Sequence, residues 1–282
     1  RPPRSTLFPY TTLFRSNPRR NAQRSQAGAW ERGRRPAIRF PLSAFRFMIL
    51  LSVVIPAYNE AQRLPPYLDA IRRYCDGVFA DRYEVIVVDD GSSDGLDEVL
   101  RLAAEGFGNL RTIRHPKNRG KGAAVRTGAL AATGRFVLFA DADGATPIEE
   151  ESRLRSLVES GADLAVGSRR IAGDVVCQRH AIRRLVGAAF ARLAQAALRV
   201  SVSDPQCGFK MFRREVAQEL FSRSREDGYY FDLELLILAE RLGYRVAEAP
   251  IQWSEQPGSR MSFSAALRGM WGAFRRLRGL RR

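Results

Sequence analysis

Histidine and cysteine are scarce in this chain of 282 residues, which holds two of the former and three of the latter. Cys75, Cys177 and Cys207 are odd in number, scattered and without a CxxC pair, so neither a disulfide framework nor a zinc site is expected. A reducing, cytosolic setting follows. His115 and His180 have no partner at a chemically useful spacing, and neither is assigned to catalysis. Long apolar runs are missing too. The longest, Ile49 to Pro56, is strand-sized, against the roughly 18 to 20 residues a membrane-spanning helix needs.

Acidic residues are absent from residues 268–282, which hold six Arg, and nearly absent from residues 1–47, where eleven Arg face one Glu. That leader carries +10 of the formal charge of +16, and the remainder carries +6, so the central body is close to neutral. Rich in Pro, Arg and Ser and lacking an apolar core, residues 1–47 are expected to be a disordered basic leader and not a secretory signal. Ser5 to Ser16 repeats Thr-Leu-Phe and resembles translated adapter sequence, which makes Met48 the natural start. A nucleic-acid-binding arm is the functional alternative for such a charge run, but nucleic acid is not expected as a partner.

What is present from Met48 onward is an alternation of short apolar runs with helix-length amphipathic segments, the pattern of an α/β fold with a central, mostly parallel sheet flanked by helices. Strands are expected at Leu50 to Ile55, Tyr83 to Val88, Leu110 to Arg114, Phe136 to Ala140, Asp163 to Val166 and Arg245 to Ile251. Helices are expected at Pro65 to Phe79, Gly95 to Glu105, Lys121 to Ala132, Pro147 to Ser160, Ala181 to Val200 and Phe231 to Leu242. Pro147 would stand in a first helical turn. Ligands of open α/β sheets bind at the carboxyl ends of strands, so Asn59-Glu60, Asp89-Asp90 and Asp141 with Asp143 should converge on one crevice.

Asp141-Ala142-Asp143 follows a strand apolar enough to be buried, and two carboxylates emerging there call for a hard divalent cation, Mg²⁺ or Mn²⁺, shared with a diphosphate. A calcium-binding EF-hand fails on spacing, because its twelfth position counted from Asp141 is Ser152. Asp89 and Asp90 could accept hydrogen bonds from a base or a ribose, or could cap the helix that follows. The Gly-rich loop from Asn118 to Gly128 fits neither a Walker A loop nor a dinucleotide fingerprint, yet it could bring Lys121 and backbone N–H groups to a phosphate, or be a simple helix entry. Asp232 and Glu234, two apart on a helix, cannot share a face, so at most one meets the crevice. Trp253 could stack on sugar or base, or belong to the core.

Taken in order with Pro56-Ala57-Tyr58-Asn59-Glu60, Gly167-Ser168-Arg169, Gln206-Cys207-Gly208-Phe209-Lys210, Phe231-Asp232-Leu233-Glu234 and Trp253-Ser254-Glu255, these motifs resemble the family 2 inverting glycosyltransferases over about residues 50–262. The resemblance is greatest to the dolichyl-phosphate β-glucosyltransferases and extends to the dolichyl-phosphate mannose synthases. It implies a GT-A fold over residues 48–262, and transfer of a hexose, glucose from UDP-glucose first, to a polyprenyl phosphate. GDP-mannose or a hydroxyl acceptor are the enzymatic alternatives; a non-catalytic basic binding protein is the alternative of another class. It further implies nucleotide-sugar binding by Pro56, Tyr58, Glu60, Asp89, Asp90, Lys121 and Asp141, and metal binding by Asp141 and Asp143. Catalytic roles fall to Asp143, Arg169 and Asp232, and acceptor-phosphate contacts to Arg169, Arg183 and Lys210. Residues 263–282 mix Phe, Met, Trp and Leu with Arg and no acid, the composition of an interfacial tail, so peripheral attachment to the cytoplasmic face of a membrane is expected.

Overall fold

A computed structural model describes residues 48–171, 201–254 and 256, together with the backbone of 177–178. Arg183, His180, Glu255, the helix expected at 181–200, the leader and the tail lie outside the described residues.

Strand β1, Leu51–Ala57, is buried at every position, as a strand covered on both faces must be. It pairs in parallel with β2, Tyr83–Asp89, on one side and with β4, Phe136–Ala140, on the other; β3, Leu110–Arg114, extends the sheet beyond β2. Beyond β4 stand β7, Phe209–Arg213, then β5, Leu164–Ser168, then β8, Val246–Pro250. Strand β7 runs antiparallel to both β4 and β5, whereas β5 and β8 are parallel. Six carboxyl ends and the amino end of β7 therefore meet at the edge of the sheet beyond β1, β4 and β5. A two-residue pair, β6 at Cys177–Gln178 with β9 at Trp253–Ser254, forms a second small sheet.

Helix α1, Leu64–Phe79, buries Leu64, Tyr67, Leu68, Ile71, Cys75 and Phe79, the three-and-four spacing of one helical face. Each such aliphatic side chain contributes about 1.5–3 kcal/mol by leaving water, and Ile71→Ala would cost about 2–5 kcal/mol once its cavity is counted. Helix α2, Leu96–Gly106, follows β2. Helix α3, Lys121–Ala131, is built largely of Gly and Ala, which lets its backbone lie close against β1 and β2. A 3₁₀ turn at Ile148–Glu150 leads into α4, Glu151–Glu159, which covers β5, β7 and β8. Pro147 stands just before that turn with ψ near 141°, outside the helix and not in its first turn as expected.

Besides the short strands β6 and β9, the elements not foreseen are β7 and the helix α5, Arg214–Arg223, that leaves it without a loop. Strand β7 carries Lys210 and Arg213, so it does not read as an apolar run, and no turn residue separates it from α5. Helix α6, Phe231–Leu242, is buried over its first nine residues and ends on Gly243 in the left-handed conformation.

Candidate active site

The acidic pair lies where the strand order places it. Asp141 and Asp143 leave the end of β4 with Ala142 buried between them. Asp141 is about a third exposed, its side chain at 38%, and its Oδ1 stands 2.7 Å from Nζ of Lys121, the first residue of α3. Asp143 accepts the N–H of Ala145 at 3.1 Å. Burial, and next the charge of Asp141, push the Asp143 carboxyl above the usual aspartate range. Two oxygen donors crowded so that one resists ionisation are suited to a hard dication.

Beside Asp143 opens a recess of about 880 Å³ whose walls include Asn59, Glu60, Arg63, Tyr67 and Glu149. Tyr58 projects from the end of β1 with 46% of its surface exposed, whereas Pro56 is buried within the strand. Glu60 makes a two-pronged ion pair with Arg63. The buried Tyr67 phenol is held far above its usual range by desolvation and by the charges of Asp141 and Asp143.

Asp89 and Asp90 do converge on this edge, but both are buried and both serve loops. Oδ1 of Asp89 accepts the N–H of Ser92 at 2.9 Å, and Oδ2 faces Nε of Arg114 at 3.4 Å. Asp90 accepts the N–H groups of Arg119 and Gly120 at 3.0 and 2.8 Å and contacts Nδ1 of His115 at 2.6 Å. Asp94 accepts the N–H of Leu96 at 3.3 Å at the entry to α2 and that of Ala61 at 3.0 Å.

The Gly-rich loop differs from a phosphate cradle for a related reason. Its N–H groups at 119 and 120 go to Asp90, and that of Ala123 donates to the carbonyl of Asp227 at 3.2 Å. Gly120, with φ of 104°, and Gly122 are pressed against the carbonyls of Asp227 and Glu226, leaving no room for a Cβ. The side chain of Lys121 thus represents this loop at the acidic pair. Loop 224–228 is held in turn by Glu234, whose carboxylate accepts Ser224 Oγ at 2.6 Å and the N–H groups of Arg225 and Glu226 at 2.9 and 2.8 Å.

Three residues expected at the substrates are paired with other groups of the protein. Lys210, expected at an acceptor phosphate, is fully buried with Nζ bonded to Asp232 Oδ1 at 2.6 Å and to the carbonyl of Cys207 at 2.5 Å. Asp232, expected in a catalytic role, is accordingly a buried ion-pair partner; burial raises its pKa and Lys210 opposes that rise. Asp232 and Glu234 do face different neighbours, as their spacing requires. Arg169, at the end of β5, donates from Nε and Nη2 to Asp204 at 2.7 and 2.8 Å, with its guanidinium 5.7 Å from the centre of the Trp253 ring. Asp204 was not anticipated, because it has no motif of its own and only folding brings it to Arg169. Cys75 and Cys207 are free and buried.

The glycosyl transferase family 2 profile matches residues 52–221. A dolichyl-phosphate β-glucosyltransferase of Trichomonas vaginalis is 34% identical over 93% of this chain and 80% of its own length. The Drosophila melanogaster and human proteins of that name are 40% and 37% identical, each over 75% of this chain and 69% of its own length. Among solved structures, glucosyl-3-phosphoglycerate synthase of Mycobacterium tuberculosis with UDP superposes with a TM-score of 0.62 at 23% identity, covering 84% of this chain and 82% of that one, a likeness of fold. The same enzyme with Mn²⁺, UDP and phosphoglyceric acid gives 0.58 at 25% identity, over 84% of this chain and 78% of that one. With the GT-A fold, the acidic pair at the end of β4 and the family match all falling on one region, the chain belongs to glycosyl transferase family 2 and is a glycosyltransferase.

Proposed function

We propose that this glycosyltransferase moves glucose from UDP-glucose to a polyprenyl phosphate of the dolichyl type, inverting the anomeric carbon. The observation that carries the reading is the pair Asp141 and Asp143 at the end of β4, one beside Lys121 and the other reluctant to ionise. Its substrates are suggested by the curated relatives, which are dolichyl-phosphate β-glucosyltransferases. A bound Mg²⁺ or Mn²⁺ would be held by Asp141 and Asp143 and would neutralise charge on the leaving diphosphate.

The rest of the chemistry asks for placement. A lipid phosphate is anionic at neutral pH, so its oxygen attacks C1 of the sugar without giving up a proton. The bond from C1 to the β-phosphate oxygen breaks, and its electron pair leaves with UDP. Tyr58, exposed beside the recess, suits stacking on the base. Lys121 offers a cation to the diphosphate. Asp89 and Asp90 support donor binding from below, by holding the loops at 92 and 119–120. Arg169 and Arg183 are assigned to the acceptor phosphate, Arg169 from its ion pair with Asp204. The catalytic unit spans residues 48–262, and the basic tail, 263–282, would rest on the cytoplasmic face of a membrane. Among the described residues, no helix is long and apolar enough to cross one.

The full chain, incubated with radiolabelled UDP-glucose, Mn²⁺ and a short prenyl phosphate, is expected to yield a labelled lipid. EDTA, Asp141→Ala and Asp143→Ala should each abolish it. Product from GDP-mannose and none from UDP-glucose would reassign the sugar, and no product from any nucleotide sugar would sink the reading.

A further inference from the structure

The Asp141 carboxylate is confined on two sides. Lys121 stands on one, with its ammonium 2.7 Å from Oδ1. Gly208, the residue before β7, stands on the other, and its carbonyl accepts the N–H of Asp141 at 3.1 Å. A Cβ at position 208 would lie 2.6 Å from Oδ1 and closer still to Cγ and Oδ2. Ordinary contacts between carbon atoms lie at about 3.5–4.0 Å, so a methyl group and this carboxylate cannot both occupy the space.

The backbone itself does not ask for glycine here. Gly208 is not among the positive-φ residues, and alanine could adopt its conformation without strain. Nor can the strand slide away from the acid. Phe209 pairs with Ala140 and Lys210 with Phe139, and Lys210 is bonded to Asp232 and to the carbonyl of Cys207. Asp141 sits at the end of a buried strand and its N–H is tied to Gly208, so turning the side chain is its one escape.

We propose that Gly208 is a positioning residue: its missing side chain fixes the direction in which the Asp141 carboxylate faces the donor diphosphate and its cation. What that carboxylate binds rests on the functional reading above. How it is directed is decided by the contact with Gly208.

The test compares the full chain with Gly208→Ala, Asp141→Ala and the double variant, by calorimetric titration of Mn²⁺ with UDP and by thermal unfolding. Gly208→Ala is expected to weaken Mn²⁺–UDP binding at least tenfold and to lower kcat with little change in the KM for prenyl phosphate. Its loss of melting temperature should largely vanish in the Asp141→Ala background, where the carboxylate is gone. Gly134→Ala, before the opposite end of β4 and with its Cβ 2.7 Å from the Ser52 nitrogen, should lose melting temperature while keeping Mn²⁺–UDP affinity. The proposal is overturned by Mn²⁺–UDP affinity within twofold of the parent in Gly208→Ala, by an equal weakening in Gly134→Ala, or by an undiminished thermal loss in the double variant. Should Gly208→Ala fail to fold, a folded double variant supports the proposal and an unfolded one overturns it. A parent that binds no Mn²⁺–UDP would count against the functional reading, while the thermal comparison would still decide the role of Gly208.

Discussion

Lys121 at the start of α3 and Asp141 at the end of β4 meet at 2.7 Å, so a lysine ammonium lies against the carboxylate assigned to a cation. Burial alone would lower the lysine pKa, but the charges of Asp141 and Asp232 outweigh it and hold the group above its usual range. Lys121→Met should lower the metal-free melting temperature by about 2–4 °C, the equivalent of about 1 kcal/mol for a partly exposed pair. Mn²⁺ alone should then raise the melting temperature more in the variant than in the parent, since no ammonium competes. Scanning fluorimetry with and without Mn²⁺ reads both, and an equal Mn²⁺ shift in the two proteins would contradict the competition.

Lys210 and Asp232 are joined inside the protein, where breaking one partner leaves the other charged and unpaired. Lys210→Met or Asp232→Leu alone should each cost about 3–5 kcal/mol, and the two together far less than their sum. Urea unfolding of the three variants measures this. Additive losses would show that the pair is not a unit.

Removing the Glu234 carboxylate should free the loop that Glu234 holds against Gly120 and Gly122. In Glu234→Ala, exchange of the Arg225 and Glu226 amides should accelerate at least tenfold while those of β1 stay protected, and UDP affinity should fall. Hydrogen exchange followed by mass spectrometry reads the loop, and unchanged protection there would remove Glu234 from this role.

Arg169 and Asp204 form a bidentate pair, and lysine cannot reproduce its fork. A double-mutant cycle with Arg169→Lys and Asp204→Asn should give a coupling of about 1–3 kcal/mol. If Arg169 also receives the acceptor, Arg169→Lys should raise the KM for prenyl phosphate more than that for UDP-glucose.

Glu248 on β8 accepts hydrogen bonds from Ser203 and Asp204, and burial nevertheless lifts its pKa above the ordinary 4.5. A carboxyl raised on folding binds more protons folded than unfolded, so its contribution becomes less favourable as pH climbs from 4.5 through the folded pKa, then levels off. Glu248→Gln keeps an oxygen for the two N–H groups and cannot ionise. Its stability relative to the parent should therefore rise across that window, as urea midpoints between about pH 4 and 8 would reveal.

The sheet was legible wherever a strand is a continuous apolar run. Strands β1 to β4 were anticipated to within two residues: β1, β2 and β4 are buried and apolar in their interiors apart from Ser52 and Glu84, while the edge strand β3 is exposed at Arg111, Thr112 and Arg114 and keeps Leu110 and Ile113 apolar. Strand β7 was hidden by Lys210, which is tolerated there because Asp232, 22 residues later, lies beside it. Charged residues in a strand carry no local sign of whether their partner will be water or another buried charge.

By itself, the sequence determined the α/β class, the family and the strand end from which Asp141 and Asp143 emerge, since apolar periodicity and ordered motifs are local properties of the chain. Tertiary structure alone decided which polar residues face the crevice and which are held beneath it. Asp90, Lys210 and Asp232 sit in motifs yet are turned to backbone groups or to each other, because a buried charge must find a partner. Gly208 lies in a motif as well, but the reason it is glycine is the carboxylate of a residue 67 positions earlier, brought against it when β7 pairs with β4.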